Sequence, residues 1–156
     1  EAGQPLGLRL AGGEALNALR NEKGFLQWGV DMAYTEAPYQ LGLDFICKPG
    51  KTLPFIGQDA CLARKADPKG PCLRSVRLAD PDAILHHNEP VLRDGQIIGF
   101  VTSGAFCAMQ KAAVGLCLVS PPDGAGGFEA VDDGPCSVMV EGREVPAELR
   151  RKPFGA

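Results

Sequence analysis

The segment EPVLRDGQIIGFVTSG, residues 89–104, constrains the fold more than any other stretch of this chain. Two runs that favour extended structure flank Asp94-Gly95, a dipeptide that tolerates the positive φ angles of a two-residue type I′ turn. A second pair, Glu141-Gly142, separates the runs CSVMV and REVPAEL in the same way. The sequence therefore predicts two β-hairpins in its C-terminal half.

Further strands are predicted on either side of the first hairpin. CLRSVRL alternates apolar and polar residues, and AAVGLCLVS reads as a buried strand. No helical periodicity is evident after Ala66. At least five short strands without intervening helices are typical of a small antiparallel barrel or sandwich, which we expect from about Leu73 onward.

The N-terminal part has a different pattern. The segment EALNALRNEK predicts a short helix that Gly24 would end as its C′ residue. LGLDFICK, from Leu41 to Lys48, predicts a strand, and residues 58–66 predict a second helix. The turn-rich sequence DPKGP at 67–71 then reads as a linker. Together these patterns predict an α+β chain.

The linker suggests two units, residues 1–66 and residues 67–156, which suits a chain of 156 residues. The formal net charge is −3 and RRK is the only basic run, so we expect no nucleic-acid partner. No apolar run approaches the roughly 20 residues of a membrane-spanning helix, so we expect no membrane partner. The chain also lacks a signal-peptide pattern and an initiator Met, and we expect it to be part of a longer polypeptide.

The cysteines and histidines do not suggest a metal site. No Cys-x-x-Cys pair occurs, and no His pair has ligand spacing. His86-His87 would point to opposite sides of an extended segment and fits a loop better than a metal centre. We therefore expect reduced thiols in a cytosolic or mitochondrial-matrix protein. The six cysteines are Cys47, Cys61, Cys72, Cys107, Cys117 and Cys136.

Glu22 stands where the first helix should present an apolar residue. Leu16 and Leu19 lie on one helical side, which we expect to face a core, and Glu22 follows one turn later. The helix dipole also disfavours an anion at this end. An ion pair with Arg20 or Lys23, or simple exposure at a frayed end, would explain the residue without a functional role.

Several segments together resemble the folate-binding aminomethyltransferase family, which includes the T-protein of the glycine cleavage system. The resembling stretches are GGEALNALRNEKGFLQWGVDM, APYQLGLDFICK, FIGQDACL, EPVLRDGQIIGFVTSGAF, KAAVGLCLVS and KPF. They cover nearly the whole chain in the family's order. The form EKGFLQWGVD looks closer to the branch linked to dimethylglycine and sarcosine dehydrogenases than to free T-protein.

The resemblance implies a fold and a set of partners. The chain would be the end of an α/β, ferredoxin-like central domain followed by the family's C-terminal antiparallel barrel. Tetrahydrofolate would be the cofactor, a small methylated amine would be the donor, and FAD would sit in an upstream domain. The family's catalytic aspartate lies well upstream of its R-x-E-x-G motif, which is RNEKG at residues 20–24 here. The resemblance therefore places no catalytic residue in this chain. The barrel would pack on the missing N-terminal part of the same protein.

The resemblance also assigns three folate-binding residues. Glu22 would accept hydrogen bonds from the pterin N3–H and 2-amino groups at once. Trp28 would line the pterin or aminobenzoyl ring, although ordinary core packing is the alternative. Lys51 stands where relatives often have an arginine for the folate tail, and a lysine cannot bind a carboxylate bidentately. Asp31 receives no ligand role, because it suits a turn cap.

Two classes of function follow from the resemblance. The first is the C-terminal portion of a tetrahydrofolate-dependent one-carbon transferase joined to a flavin-dependent dehydrogenase. The second is a non-catalytic folate-binding or docking module on the same scaffold, and a barrel that only supports a neighbouring dehydrogenase domain is a weaker variant of it. The upstream sequence would distinguish the classes.

Overall fold

Six antiparallel strands form a closed barrel in the computed structural model, which describes residues 2–48, 53–121 and 131–155. Neighbouring strands follow the order β1-β4-β3-β2-β5-β6, and β6 closes the barrel on β1. This arrangement confirms the predicted α+β chain with a C-terminal antiparallel barrel. The strands are β1 Cys72–Leu78, β2 Pro90–Arg93, β3 Gln96–Cys107, β4 Ala112–Val119, β5 Gly134–Val140 and β6 Arg143–Arg150.

Both predicted hairpin turns are present. Asp94 and Gly95 join β2 to β3 with φ angles of 52° and 75°. Glu141 and Gly142 join β5 to β6 with φ angles of 48° and 78°. Positive φ at both central residues is the signature of the type I′ turn, whose twist matches that of the flanking strands.

The barrel interior is filled by small branched side chains from alternating strand positions. Val76, Val91, Val119, Val138 and Leu149 are fully buried. Each such side chain contributes about 1.5–3 kcal/mol by leaving water. This part of the chain therefore has an apolar core of its own, to which the preceding segments attach.

Strand β3 contains a bulge between Val101 and Ser103. Val101 pairs with Cys117 and Ser103 pairs with Leu116, so Thr102 is the extra residue. A bulge re-aims the side chains of its strand. Here the buried Ser103 hydroxyl is directed toward Asn21 of the N-terminal helix, and the buried Thr102 hydroxyl toward Asp31, which follows that helix.

Two α-helices precede the barrel. Helix α1 spans Gly13–Lys23 and helix α2 spans Gln58–Ala66, as predicted. Gly24 ends α1 in the left-handed conformation, with φ of 71°. Within the described residues, no helix is both long enough and apolar enough to cross a membrane. The division into residues 1–66 and 67–156 stays a prediction.

The predicted strand from Leu41 to Lys48 is wrong. Instead, one 3₁₀ turn, Pro38–Leu41, ends at the first residue of this segment, and a second, Asp44–Ile46, lies within it. The first turn is held by Gln40, whose side-chain oxygen accepts from the Ala37 N–H at 2.8 Å and whose amide nitrogen donates to the Pro71 carbonyl at 2.8 Å. Both an acceptor and a donor are needed, so an ionised glutamate could not replace this residue.

Candidate functional site

Helix α1 packs its polar side on the barrel and leaves its leucines exposed. Asn21 is fully buried and Glu22 is 5% exposed, whereas Leu16 and Leu19 are 67% and 61% exposed. Asn17 donates to the Gly104 carbonyl of β3 at 3.1 Å. The expectation that Leu16 and Leu19 face a core is therefore wrong for the described chain. The physical reason is that the adjoining barrel wall is polar at the β3 bulge.

A buried carboxylate, Asp31, joins this helix to the bulge. The hydroxyl oxygens of Thr102 and Ser103 lie 2.6 Å and 2.5 Å from Asp31 Oδ1. Ser103 Oγ also lies 2.9 Å from Asn21 Oδ1 on α1. The other Asp31 oxygen accepts from the Gln27 N–H at 2.9 Å. Asp31 is thus a hub of buried hydrogen bonds.

Arg20 completes this network. Its Nη1 atom lies 2.5 Å from Asp31 Oδ2, and the two side chains are 11% and 0% exposed. The sequence predicted only a turn cap for Asp31, whereas its side chain bonds back to the Gln27 N–H of the preceding loop and to the β3 bulge. Arg20 and Asp31 are 11 residues apart in sequence, so no local pattern indicated that they form a buried ion pair.

Glu22 is buried in the last turn of α1 without a donor. Arg20 is engaged by Asp31, and Lys23 Nζ donates to the Gly155 carbonyl at 2.7 Å. Neither predicted ion pair forms, and the predicted exposure at a frayed end is also wrong. Among residues 2–48, 53–121 and 131–155, no group donates a hydrogen bond to the Glu22 carboxylate. The Glu22 carboxylate oxygens are not among the fully buried side-chain atoms without a partner in the described chain, so they are open to a ligand that brings donors.

The Cys107 thiol next to Glu22 allows a pH prediction. Burial raises the pKa of Cys107 from its ordinary 9.0 to about 11, and the Glu22 carboxylate adds to the rise. The neutral thiol therefore contributes stability that is fully present below pH 9 and is lost as the pH rises toward 11. At pH 10 the loss should be about 1 kcal/mol. Urea unfolding at pH 8 and pH 10 measures how far the free energy of unfolding falls between these pH values. The fall should be smaller for Cys107→Ala than for the unmodified chain, and equal falls would contradict the prediction.

The other two predicted folate-binding residues are Trp28 and Lys51. Among the described residues, no hydrogen bond or ion pair links Trp28 to Glu22. Trp28 is 65% exposed, so core packing within the described chain is excluded as its role. Its loop is fixed by the Gly29 N–H, which donates to the Met32 carbonyl at 2.8 Å. Lys51 lies outside the described residues, and Lys48 is exposed, as expected for a solvated lysine. The folate-binding roles of Glu22, Trp28 and Lys51 stay predictions.

Large exposed apolar side chains concentrate before the barrel. The residues Leu16, Leu19, Phe25, Trp28 and Tyr34 are each more than 60% exposed. Large apolar side chains exposed in this number favour a surface that another part of the polypeptide or a partner covers. We refer to these five residues as the apolar face.

Comparison with protein-family models identifies two matches. Residues 72–155 match the glycine cleavage T-protein C-terminal barrel domain, and residues 1–51 match the GCVT N-terminal domain. A 4-methylaminobutanoate oxidase (formaldehyde-forming) of Paenarthrobacter nicotinovorans is 41% identical over 99% of this chain and 18% of its own length. An aminomethyltransferase of Porphyromonas gingivalis is 32% identical over 99% of this chain and 41% of its own length.

A mitochondrial enzyme and a solved structure are also similar. Human dimethylglycine dehydrogenase is 36% identical over 71% of this chain and 13% of its own length. The crystal structure of glycine cleavage system aminomethyltransferase T from Bartonella henselae has a TM-score of 0.75 and 19% identity, and it covers 90% of this chain and 38% of that one. The chain therefore spans less than half the length of these relatives, which include bacterial and mitochondrial enzymes.

Proposed function

Because this chain belongs to the glycine cleavage T-protein family, we propose that it is the C-terminal portion of a tetrahydrofolate-dependent one-carbon transferase. We further propose that a flavin-dependent dehydrogenase of methylated amines is linked to it, since relatives of this chain include an amine oxidase and dimethylglycine dehydrogenase. The donor would be a small methylated amine. FAD would lie in an upstream domain, because the family resemblance assigns only folate contacts to the residues of this chain.

The observation that carries the proposal is Glu22, a buried residue whose carboxylate receives no hydrogen bond from the described residues. A pterin presents an N–H and an amino group side by side, and one carboxylate can accept from both. The chemistry of this position therefore fits a pterin. Bound tetrahydrofolate would supply the nitrogen atoms that accept the one-carbon unit.

The chain's own residues would bind and orient. Glu22 would fix the ring, and the pair of Arg20 and Asp31 would keep the helix that carries it against the barrel. Trp28 would line the ring, and Lys51 would neutralise a carboxylate of the folate tail. Orientation and exclusion of water are effective contributions when an intermediate is reactive.

We propose that the N-terminal portion of the same polypeptide packs against the apolar face. The coverage of 41% and 18% means that these two relatives are about 2.4 and 5.6 times as long as the matched region. We expect the complete protein in the bacterial cytoplasm or the mitochondrial matrix.

The Paenarthrobacter relative is named as a formaldehyde-forming oxidase. This name favours the alternative to a transferase, a non-catalytic folate-binding or docking module. The complete polypeptide should be given dimethylglycine or 4-methylaminobutanoate, with and without tetrahydrofolate. The transferase predicts that methylene-tetrahydrofolate replaces free formaldehyde when tetrahydrofolate is present. Undiminished formaldehyde in its presence would support the alternative.

Residues 1–156 alone should form no methylene-tetrahydrofolate. The reason is that the family's catalytic aspartate corresponds to no segment of this chain. The purified chain, shown to be folded by circular dichroism, should be incubated with tetrahydrofolate and the amine donor and its products separated by chromatography. Turnover above the protein-free rate would refute this prediction.

A further inference from the structure

The segment Pro153–Gly155, which we call the C-terminal clasp, is anchored to the barrel by Phe154. This side chain is 7% exposed and packs with Cys107 and Val114. The guanidinium carbons of Arg77 and Arg150 lie 5.0 Å and 4.7 Å from its ring centroid. These two cation–π contacts hold the ring in place.

The clasp is also bonded to the last turn of α1. The Gly155 N–H donates to the Glu22 carbonyl at 2.9 Å, and Lys23 Nζ donates back to the Gly155 carbonyl at 2.7 Å. Gln110 donates to the Phe154 carbonyl at 2.9 Å. The clasp thus satisfies one of the carbonyl groups that a helix leaves without an intrahelical partner at its C-terminus.

Gly155 lies directly against the Glu22 side chain. A Cβ atom added at Gly155 would lie 2.5 Å from Glu22 Cγ and 2.8 Å from the Glu22 carbonyl oxygen. These distances are far below van der Waals contact, so only glycine fits. The close approach restricts where Glu22 Cγ, and hence the carboxylate beyond it, can lie. Pro153 makes a similar approach to Gly24, where an added Cβ would lie 2.5 Å from Pro153 Cγ.

We infer that the clasp is a positioning element for the folate site, in which Gly155 sets the orientation of the Glu22 carboxylate. The inference rests on the proposed function, because it assumes that Glu22 binds the pterin. Two simultaneous hydrogen bonds require the acceptor to be held within about 0.5 Å. Glu22 lies in the last turn of α1, where carbonyl groups lack intrahelical partners, so an external support is needed to hold its side chain.

The test is Gly155→Ala in the complete polypeptide. The added methyl group should displace the Glu22 side chain and raise the dissociation constant for tetrahydrofolate about tenfold. In a Glu22→Gln background the same change should alter affinity less than about twofold, because the displaced group no longer makes the bonds. Equal losses in both backgrounds, or no loss in the first, would overturn the inference while leaving the proposed function intact.

Gly142→Ala is the matched control. Gly142 has φ of 78° and nothing within 4 Å of an added Cβ, so alanine there strains a distant hairpin without touching Glu22. Its folate affinity should be unchanged, and a loss equal to that of Gly155→Ala would overturn the inference. If Gly155→Ala does not fold, Gln110→Ala removes one clasp hydrogen bond and should raise the dissociation constant about two- to threefold, and no change would overturn it. Unchanged affinity in Glu22→Gln alone would instead defeat the proposed function, and the inference with it.

Discussion

Glu22→Gln in the complete polypeptide is expected to weaken tetrahydrofolate binding by about 10- to 100-fold and to leave the melting temperature nearly unchanged. Glutamine keeps the shape of the side chain but turns a donor toward the donors of the pterin. Hydrogen bonds to a charged acceptor are worth about 1.5–3 kcal/mol, which corresponds to this range of affinity. The folded chain loses little, since no described residue donates to this carboxylate.

The measurement is a titration with tetrahydrofolate, paired with thermal unfolding in the absence of ligand. Glu14→Gln supplies a matched control, because Glu14 is exposed in the first turn of the same helix. Its folate affinity should equal that of the unmodified protein. Removing the Glu22 charge also removes its contribution to the raised pKa of Cys107, so the thiol should ionise at lower pH.

Two results would refute the assignment. Equal folate affinity would make Glu22 a structural residue. A lost affinity accompanied by a large fall in melting temperature would show that the carboxylate stabilises the fold. Neither result would affect family membership, which depends on the sequence match of the barrel.

The barrel was predictable because its signals are local. The Asp94-Gly95 and Glu141-Gly142 turns fix strand pairing through backbone angles that few residues adopt. The end of helix α1 was predictable for the same reason, since Gly24 takes the left-handed conformation. The strand predicted from Leu41 to Lys48 failed because the Gln40 side chain bonds to Pro71, which is 31 residues away.

The orientation of α1 was not predictable from its own residues. Helical periodicity identifies an apolar side but does not say which neighbour covers it. Here the barrel receives the polar side through the β3 bulge, and Leu16 and Leu19 remain exposed. Glu22 was identified through the family resemblance, whereas the hub at Asp31 depends on hydroxyl groups that lie more than 70 residues away in sequence. Such a hub becomes visible only after the chain has folded.

That hub supports a second prediction of large effect, for Asp31→Asn. The substitution should lower the free energy of unfolding by about 3 kcal/mol, because it leaves Arg20 nearly buried without its counter-charge. Arg20 is only 11% exposed and its Nε atom already lacks a partner among the described residues. For a chain of this size the melting temperature should fall by about 6–12 °C. Urea and thermal unfolding of residues 1–156 measure both quantities.

Asp44→Asn is the control for loss of a carboxylate charge. Asp44 and Lys65 form an ion pair of similar length, 2.6 Å, but their side chains are 43% and 59% exposed. Exposed pairs contribute about 0–1 kcal/mol, so this variant should unfold almost like the original chain. The contrast between the two variants isolates the effect of burial from that of charge.

The double variant Arg20→Met/Asp31→Asn separates the ion pair from the hydrogen-bond hub. If the cost of Asp31→Asn comes from the stranded guanidinium, removing Arg20 as well should restore about half of the lost stability, since an apolar side chain needs no partner. The remaining loss would then belong to the contacts with Gln27, Thr102 and Ser103. A double variant no more stable than Asp31→Asn would show that these contacts, and not the Arg20 pair, hold helix α1 on the barrel.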